Sequence, residues 1–299
     1  MELLVKPEKY NDYLENYDGM ILPLKDYSIN YNTYFTLDEI KKIKEKYNKE
    51  IFVVINKMMF NKDLGKLKDV LIEIDKLNLT GIFYYDISIL TLKKDLDLKT
   101  DLVWNANHMV TNYETCNYYY NKGVKYAYLS NEITLKESIE IKEKSKIVPM
   151  ITMISKPVVG TSYRHLLENY YKAHNKEFEN DIKITEKKTN EKFIVHEEND
   201  GTTFIYDKIL NNTRCLKDLK KADFPYLIFI EDGIDEDKFY KSLDIINDYV
   251  KNDKDNLEKV YNLIGRNTGF SYRKTIYRVK KHEKDWVART SRWFRKIKN

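Results

Sequence analysis

The chain has 299 residues, 42% of them hydrophobic and 33% charged, with 52 Lys+Arg against 47 Asp+Glu. That balance excludes a disordered chain and leaves enough apolar material for one large core or two smaller ones. No apolar run approaches the ~20 residues that span a bilayer, and the opening MELLVKPEKY lacks a secretory pattern, so a cytoplasmic protein is expected.

Short apolar runs alternate with longer segments of helical period. Residues 3–5, 19–23, 51–55, 81–85, 102–104, 124–129, 147–151 and 226–230 are apolar runs, interrupted by charge only at Lys125, as buried parallel strands are. Between them, Thr36 with Glu39 and Thr134 with Glu137 have the spacing of capping boxes, and Asn61 is placed to cap a helix carrying Leu64, Leu67, Leu71, Ile74 and Leu77. Phe239, Leu243, Ile246 and Val250 mark another amphipathic helix. Eight strands with intervening helices predict a (β/α)8 TIM-like barrel over residues 1–261. A doubly wound open sheet is the alternative, because strand number does not show closure.

Residues 178–212 break this rhythm. Two β-rich runs at 193–195 and 202–206 flank Asn199, Asp200 and Gly201, which predicts a small antiparallel hairpin inserted before the eighth strand. Residues 262–299 read as a C-terminal extension. Gly265 and Gly269 flank a turn, 275–279 reads as a short strand, and Trp286, Thr290, Trp293 and Ile297 line one face of a terminal helix.

The extension carries the sharpest charge signal. It holds six of the eight arginines, twelve basic residues against two acidic, a net of +10; the rest of the chain sums to −5. Arg266, Arg273, Lys274, Arg278, Lys280, Lys281, Arg289, Arg292 and Arg295, with Trp286 and Trp293, combine phosphate-binding cations with stacking rings, which suits RNA. An acidic protein partner or an anionic membrane would also accept a basic helix.

Catalytic cassettes are absent. The five histidines show no ligand spacing, and Cys116 and Cys215 lie far apart without metal-ligand spacing, so no metal site is expected. In a barrel, working residues sit where strands end. That rule selects Asn56, Asp86, Asn105, Asn107, Asn131 and Glu132 as mouth candidates, each of which also suits a turn or helix cap. Arg164, one of two arginines outside the extension, is a candidate anion clamp or a partner for Glu132, and Glu132 with His108 a candidate acid–base pair.

The stretches at 104–108 (WNANH), 111–113 (TNY) and 129–135 (LSNEITL) resemble the peptidase U32 family, also called collagenase-like proteases. Further patches at 53–56, Asp86, 164–170, 198–202, Gly269 with Phe270, and 277–280 extend the resemblance over about residues 1 to 280. The family label implies a peptidase or other hydrolase. Broader members act in hydroxylation of tRNA and ribosomal RNA bases or of quinone precursors, using prephenate-linked chemistry and an iron–sulfur cluster on four cysteines. Here the stretch 149–160, where the family carries cysteines, has none. The resemblance therefore implies the short, cysteine-free branch that accompanies a longer, cysteine-bearing paralogue in tRNA uridine hydroxylation. It implies an accessory subunit that binds no cofactor alone, has tRNA and that paralogue as partners, and needs no membrane; the cluster would belong to the paralogue. A collagenase-like hydrolase, or a barrel binding a small anion through Arg164, are the alternatives.

Overall fold

The structure, a computed structural model, describes residues 1–273. Eight parallel strands form its centre: β1 (Glu2–Lys6), β2 (Gly19–Pro23), β3 (Glu50–Ile55), β4 (Gly81–Tyr84), β5 (Asp101–Trp104), β6 (Tyr126–Tyr128), β7 (Val148–Ser155) and, much later in the chain, β13 (Tyr226–Ile230). Each pairs with the next, β7 pairs with β13, and β13 pairs with β1, so the sheet closes on itself. The expected (β/α)8 barrel is the observed fold, and the open sheet is excluded by that closure. β7 runs past residue 151, where the apolar run ends, because Thr152 points inward and its hydroxyl meets Tyr128 Oη at 2.6 Å.

The helices follow their strands: α1 (Leu37–Lys46), α2 (Leu64–Lys76), α3 (Ser88–Asp95), α4 (Tyr113–Asn121) and α5 (Leu135–Lys144) in the first part of the barrel. The capping boxes at Thr36–Glu39 and Thr134–Glu137 are both formed. Asn61 is not a cap. It opens a 3-10 turn in which the Asp63 carboxylate accepts from the Phe60 amide at 3.1 Å, and α2 starts only at Leu64.

Strand alternation divides the apolar residues into two cores. Leu3, Val5, Val53 and Trp104 pack outward against the helices, while Leu4, Phe52, Val54, Phe83, Val103, Tyr126, Met150 and Ile228 fill the barrel. Rings dominate the filling. Phe52 meets Phe83, Tyr126 and Tyr226 edge-on at centroid distances of 5.7, 5.7 and 6.2 Å. Gly81 lies close beside them: a Cβ there would sit 3.0 Å from the Phe52 ring, which would have to shift slightly to admit it.

Between β7 and β13 the chain builds β8 (Val158–Ser162), α6 (Leu166–Ala173), β9 (Ile182–Thr185), β10 (Lys192–Glu198), β11 (Gly201–Tyr206), β12 (Leu210–Asn211) and α7 (Leu216–Lys221). The expected hairpin is β10–β11, in register from Phe193 opposite Tyr206 to Glu198 opposite Gly201. Gly201 takes φ of 123° there. The hairpin belongs to a four-stranded sheet, β8-β11-β10-β9, that begins earlier in sequence than 178 because β8 supplies an edge. β12 instead pairs antiparallel with the end of β7. After β13 come α8 (Glu236–Asn252) and α9 (Glu258–Ile264).

The inserted sheet steadies the β2–α1 loop, residues 24–35, which arches over the strand ends. Asn30 exchanges hydrogen bonds with Thr161 and accepts from Thr203 at 2.7 Å. Tyr34 donates to Glu198 at 3.1 Å. Glu198 in turn faces His196 at 3.2 Å, and His196 meets Asp181 on its other ring nitrogen at 2.6 Å. Inside the barrel, Lys6 at the end of β1 is buried and ion-paired to Asp232, just beyond β13; it also donates to Thr33 at 3.2 Å.

Two stability effects follow. Asp232→Ala leaves the buried Lys6 ammonium without its counter-charge and should cost about 3–5 kcal/mol in urea unfolding, whereas Lys6→Met combined with Asp232→Leu should recover most of that loss. Hydrogen bonding to Glu198, opposed by burial and reinforced by Asp181, raises the His196 pKa from 6.5 to about 9. Because the folded-state value is the higher one, this contribution is complete below pH 6.5 and is lost as pH rises through about 9. After allowance for solvent screening, the unfolding free energy should fall by about 1–2 kcal/mol across that window, and His196→Gln should flatten the fall.

Candidate functional site

The C-terminal ends of the barrel strands carry the polar residues selected from sequence, and the structure divides them. Asn56 is a staple for the β2–α1 loop: its amide accepts from the Ile29 N–H at 2.9 Å and donates to the Ile29 carbonyl at 3.1 Å. Asp86 accepts from the amides of Met59 at 3.0 Å and Ser88 at 2.9 Å. Burial alone would raise its pKa, but those amide bonds hold it below the usual value. Asn105 is buried with its Oδ1 unpartnered. Asn107 is exposed and enters a 3-10 turn in the left-handed region, φ 46°. Asn131 meets the Tyr128 hydroxyl.

Glu132 lies 2.9 Å from His108 Nδ1, both half-exposed on the rim. The expected pairing of Glu132 with Arg164 does not form. Arg164 follows β8 on the inserted sheet; its backbone bonds to Ser162 and Thr202, while its exposed guanidinium has no hydrogen-bond or ion-pair partner among the described residues. Of the mouth candidates, then, Asn56 and Asp86 are committed to loop geometry, Asn105 is buried, and Asn107, Glu132 and Arg164 face solvent.

The residues that converge inside the mouth are different ones: Lys6, Tyr31, Tyr128, Thr152 and Asp232. Lys6 Nζ lies 5.4 Å from the Tyr31 ring centroid, and burial pushes the Tyr31 and Tyr128 hydroxyls above their ordinary pKa. Burial also raises Asp232, against the pull of Lys6. A cavity of about 10 Å³ remains beside them, lined by Lys6, Tyr31, Phe83 and Tyr128 among others, enough for roughly one water. The strand-end rule also applied to β1 and β13, where Lys6 and Asp232 close apolar runs; the signal was present in the sequence.

The described part of the C-terminal extension returns to this same end of the barrel. Asn211 donates to the carbonyls of Asn267 at 2.6 Å and Gly265 at 2.7 Å, Ser271 Oγ donates to Asn212 at 2.8 Å, and the Leu135 amide at the start of α5 donates to the Ser271 carbonyl at 2.9 Å. Three guanidinium groups there lie over rings: Arg214 over Tyr272 at 4.7 Å, Arg266 over Tyr261 at 5.0 Å and Arg273 over Phe270 at 5.6 Å. Arg266 also pairs with Glu258 at 2.7 Å. Lys274, Arg278, Lys280, Lys281, Trp286, Arg289, Arg292, Trp293 and Arg295 lie outside the described residues, as do the strand expected at 275–279 and the terminal helix.

The thiols do not fit an iron–sulfur cluster. Cys116 is buried in α4 and Cys215 is buried beside α7, and burial pushes their pKa up, to about 12 for Cys116. Two inert thiols on separate elements cannot replace four thiolate ligands. One cluster of metal-ligand types occurs among the described residues: His165, Glu168 and Glu197, whose ligand atoms lie within 4.8 Å of one another. Glu197 is already occupied there, accepting from the Leu167 and Glu168 amides and the Thr202 hydroxyl as a cap on α6. Among the described residues no helix is long and apolar enough to cross a membrane.

Comparison with known proteins places this arrangement. Residues 15–227 match the model of peptidase family U32. The tRNA hydroxylation protein P2 of Bacillus subtilis is 24% identical over 215 residues, covering 67% of this chain and 70% of that protein. Among solved structures, a chitinase from Rhizomucor miehei aligns with a TM-score of 0.42 at 9% identity, covering 80% of this chain and 97% of that one. The spore cortex-lytic enzyme SleL of Bacillus megaterium aligns with a TM-score of 0.38 at 9% identity, covering 76% and 70%. Neither of those overlaps bears on chemistry. With the family match spanning most of the barrel, the chain belongs to peptidase family U32.

Proposed function

We propose that this chain is the cluster-free accessory half of a two-protein tRNA-hydroxylation system, and that it holds tRNA through its C-terminal extension. The likeness to the Bacillus subtilis protein supports the reaction. The observation that carries the RNA-holding role is the row of guanidinium–ring stacks at 214–273, set on the strand-end face from which the basic extension continues. Guanidinium groups neutralise phosphates and rings stack on bases, each stack contributing about 1–3 kcal/mol. The second protein would be a longer family member that carries the cluster cysteines this chain lacks.

Filter binding of an unmodified tRNA transcript tests this. Replacing Arg278, Arg289, Arg292 and Arg295 together with Ala should weaken binding at least ~10-fold and flatten the dependence of log K on log salt by roughly 0.9 per lost phosphate contact. Phe270→Ala should cost about 1–3 kcal/mol if its ring stacks on a base. Affinity unchanged in both variants would end the proposal.

One distance favours a second reading, hydrolysis. With His108 Nδ1 held by Glu132, Nε2 is the ring nitrogen left to exchange a proton with a substrate or water. Under that reading the purified chain cleaves denatured collagen, and Glu132→Gln lowers the rate at least ~100-fold. A chain that leaves the collagen intact removes this alternative.

A further inference from the structure

Within the guanidinium–ring row one residue is built unlike its neighbours. Phe270, Tyr272 and Arg273 are exposed, the two rings by 43% and 45%, while Ser271 between the rings is buried. A buried polar residue needs partners, and Ser271 has them on three sides. Its hydroxyl donates to Asn212 Oδ1 at 2.8 Å. Its carbonyl accepts at 2.9 Å from the Leu135 amide, one of the first amides that helix α5 leaves free. Its own N–H closes a turn on the Thr268 carbonyl at 3.1 Å.

Asn212 is the other half of this seat. It is buried, and its amide works in two directions: Oδ1 receives Ser271, and Nδ2 donates to the Thr152 carbonyl of β7 at 2.9 Å. Its backbone N–H bonds to the Met153 carbonyl at 2.8 Å. An amide carries both a donor and an acceptor, which this bridge requires. Gly269 completes the fit. It takes φ of 53°, and a Cβ there would lie 2.8 Å from Leu210 Cδ1, so the turn lies against β12 with no room for a side chain. The buried contacts thus order the backbone of the segment and leave its rings in solvent. Order established before binding removes a conformational cost that binding would otherwise carry.

We infer that Ser271, seated by Asn212, is the positioning residue of the RNA-holding segment, fixing Phe270 and Tyr272 in the orientation in which they meet bases. The inference rests on the reading above, that the extension holds tRNA, and it names the buried contacts that set the grip. Tyr272 has a second tether, its hydroxyl donating to the Arg214 carbonyl at 3.2 Å. The Phe270 ring has no polar atom to tether, so its place depends on the serine beside it.

The test measures binding of an unmodified tRNA transcript by full-chain variants, with the binding-competent fraction titrated in each preparation. Ser271→Ala removes one oxygen from the seat. Gly269→Ala lifts the turn from β12 without altering Asn212. The two unseat the segment in different ways, so either folded variant decides. Each should weaken binding at least ~5-fold, about what one base stack contributes. The signature of positioning is coupling. Phe270→Ala should weaken the wild-type chain by about 5- to 150-fold but the Ser271→Ala chain by less than ~2-fold, because a ring no longer aimed has little left to lose. A purely structural role would lower the competent fraction and leave the effect of Phe270→Ala whole. Wild-type affinity in the seat variants, an undiminished effect of Phe270→Ala in the Ser271→Ala chain, or a loss explained by competent fraction alone would each overturn the inference. A wild type that binds no tRNA would remove the RNA reading on which it rests, a result distinct from these three.

Discussion

A buried ammonium needs a counter-charge within reach, and Lys6 finds its own across the barrel seam. Lys6 ends the first strand and Asp232 follows the last, so their pairing clasps the two ends of the closed sheet. The same carboxylate accepts the Asn32 amide at 3.2 Å, and Lys6 donates to Thr33, so the pair also draws the β2–α1 loop down over the mouth. Taking two charges from water is costly, and the cost is met only where the remaining polar valences are satisfied. The neighbouring groups do this: Tyr31 places its ring beside the ammonium, and Tyr128 and Thr152 satisfy each other. The polar layer that a barrel of this kind presents at its strand ends is here closed from within.

The architecture was legible because the barrel strands are buried on both faces and therefore read as unbroken apolar runs. Tyr226–Ile230 is marked to the residue. The capping boxes were legible because each is a local contract between residues three apart. What escaped the sequence was non-local. Asn61 and Asp63 both have cap chemistry, yet neither side chain caps α2, because the intervening 3-10 turn sends the Asp63 carboxylate back to the Phe60 amide. β8 carries a Gly and two exposed Val and is a strand because β11 lies beside it, which no local pattern shows. At the mouth, Asn56 and Asp86 were marked by position, but position does not reveal that loop amides have already claimed them. Arg164 and Glu132 were matched on opposite charge, and the fold places His108 nearer to Glu132.

The rim consequently does what the interior does not. With Lys6 paired to Asp232, Tyr128 to Thr152 and about one water's volume beside them, the charge free to meet solvent stands outside: Arg164 on one side, the stacked arginines on the other. The two sides differ in kind. Beside α5 and β12, each ring is covered by a guanidinium, so charge and flat surface coincide. After β3, β4 and β5, the exposed groups Phe60, Tyr85, Ile87 and Met109 mix aromatic with aliphatic surface, and no guanidinium covers them.

That contrast bears on why a U32 barrel without cluster thiols would keep its mouth ordered. Cys116 and Cys215 are packing residues whose thiols burial holds protonated, so they impose no demand on the strand ends. The ordering comes from the Lys6 clasp, from Asn56, and from the inserted sheet gripping Asn30 and Tyr34. These contacts fix the β2–α1 loop, and the Asp86 carboxylate, bonded to the Met59 amide, ties the loop after β4 to the loop after β3. The polar investment at the centre of the mouth is therefore best understood as support for the surface around it.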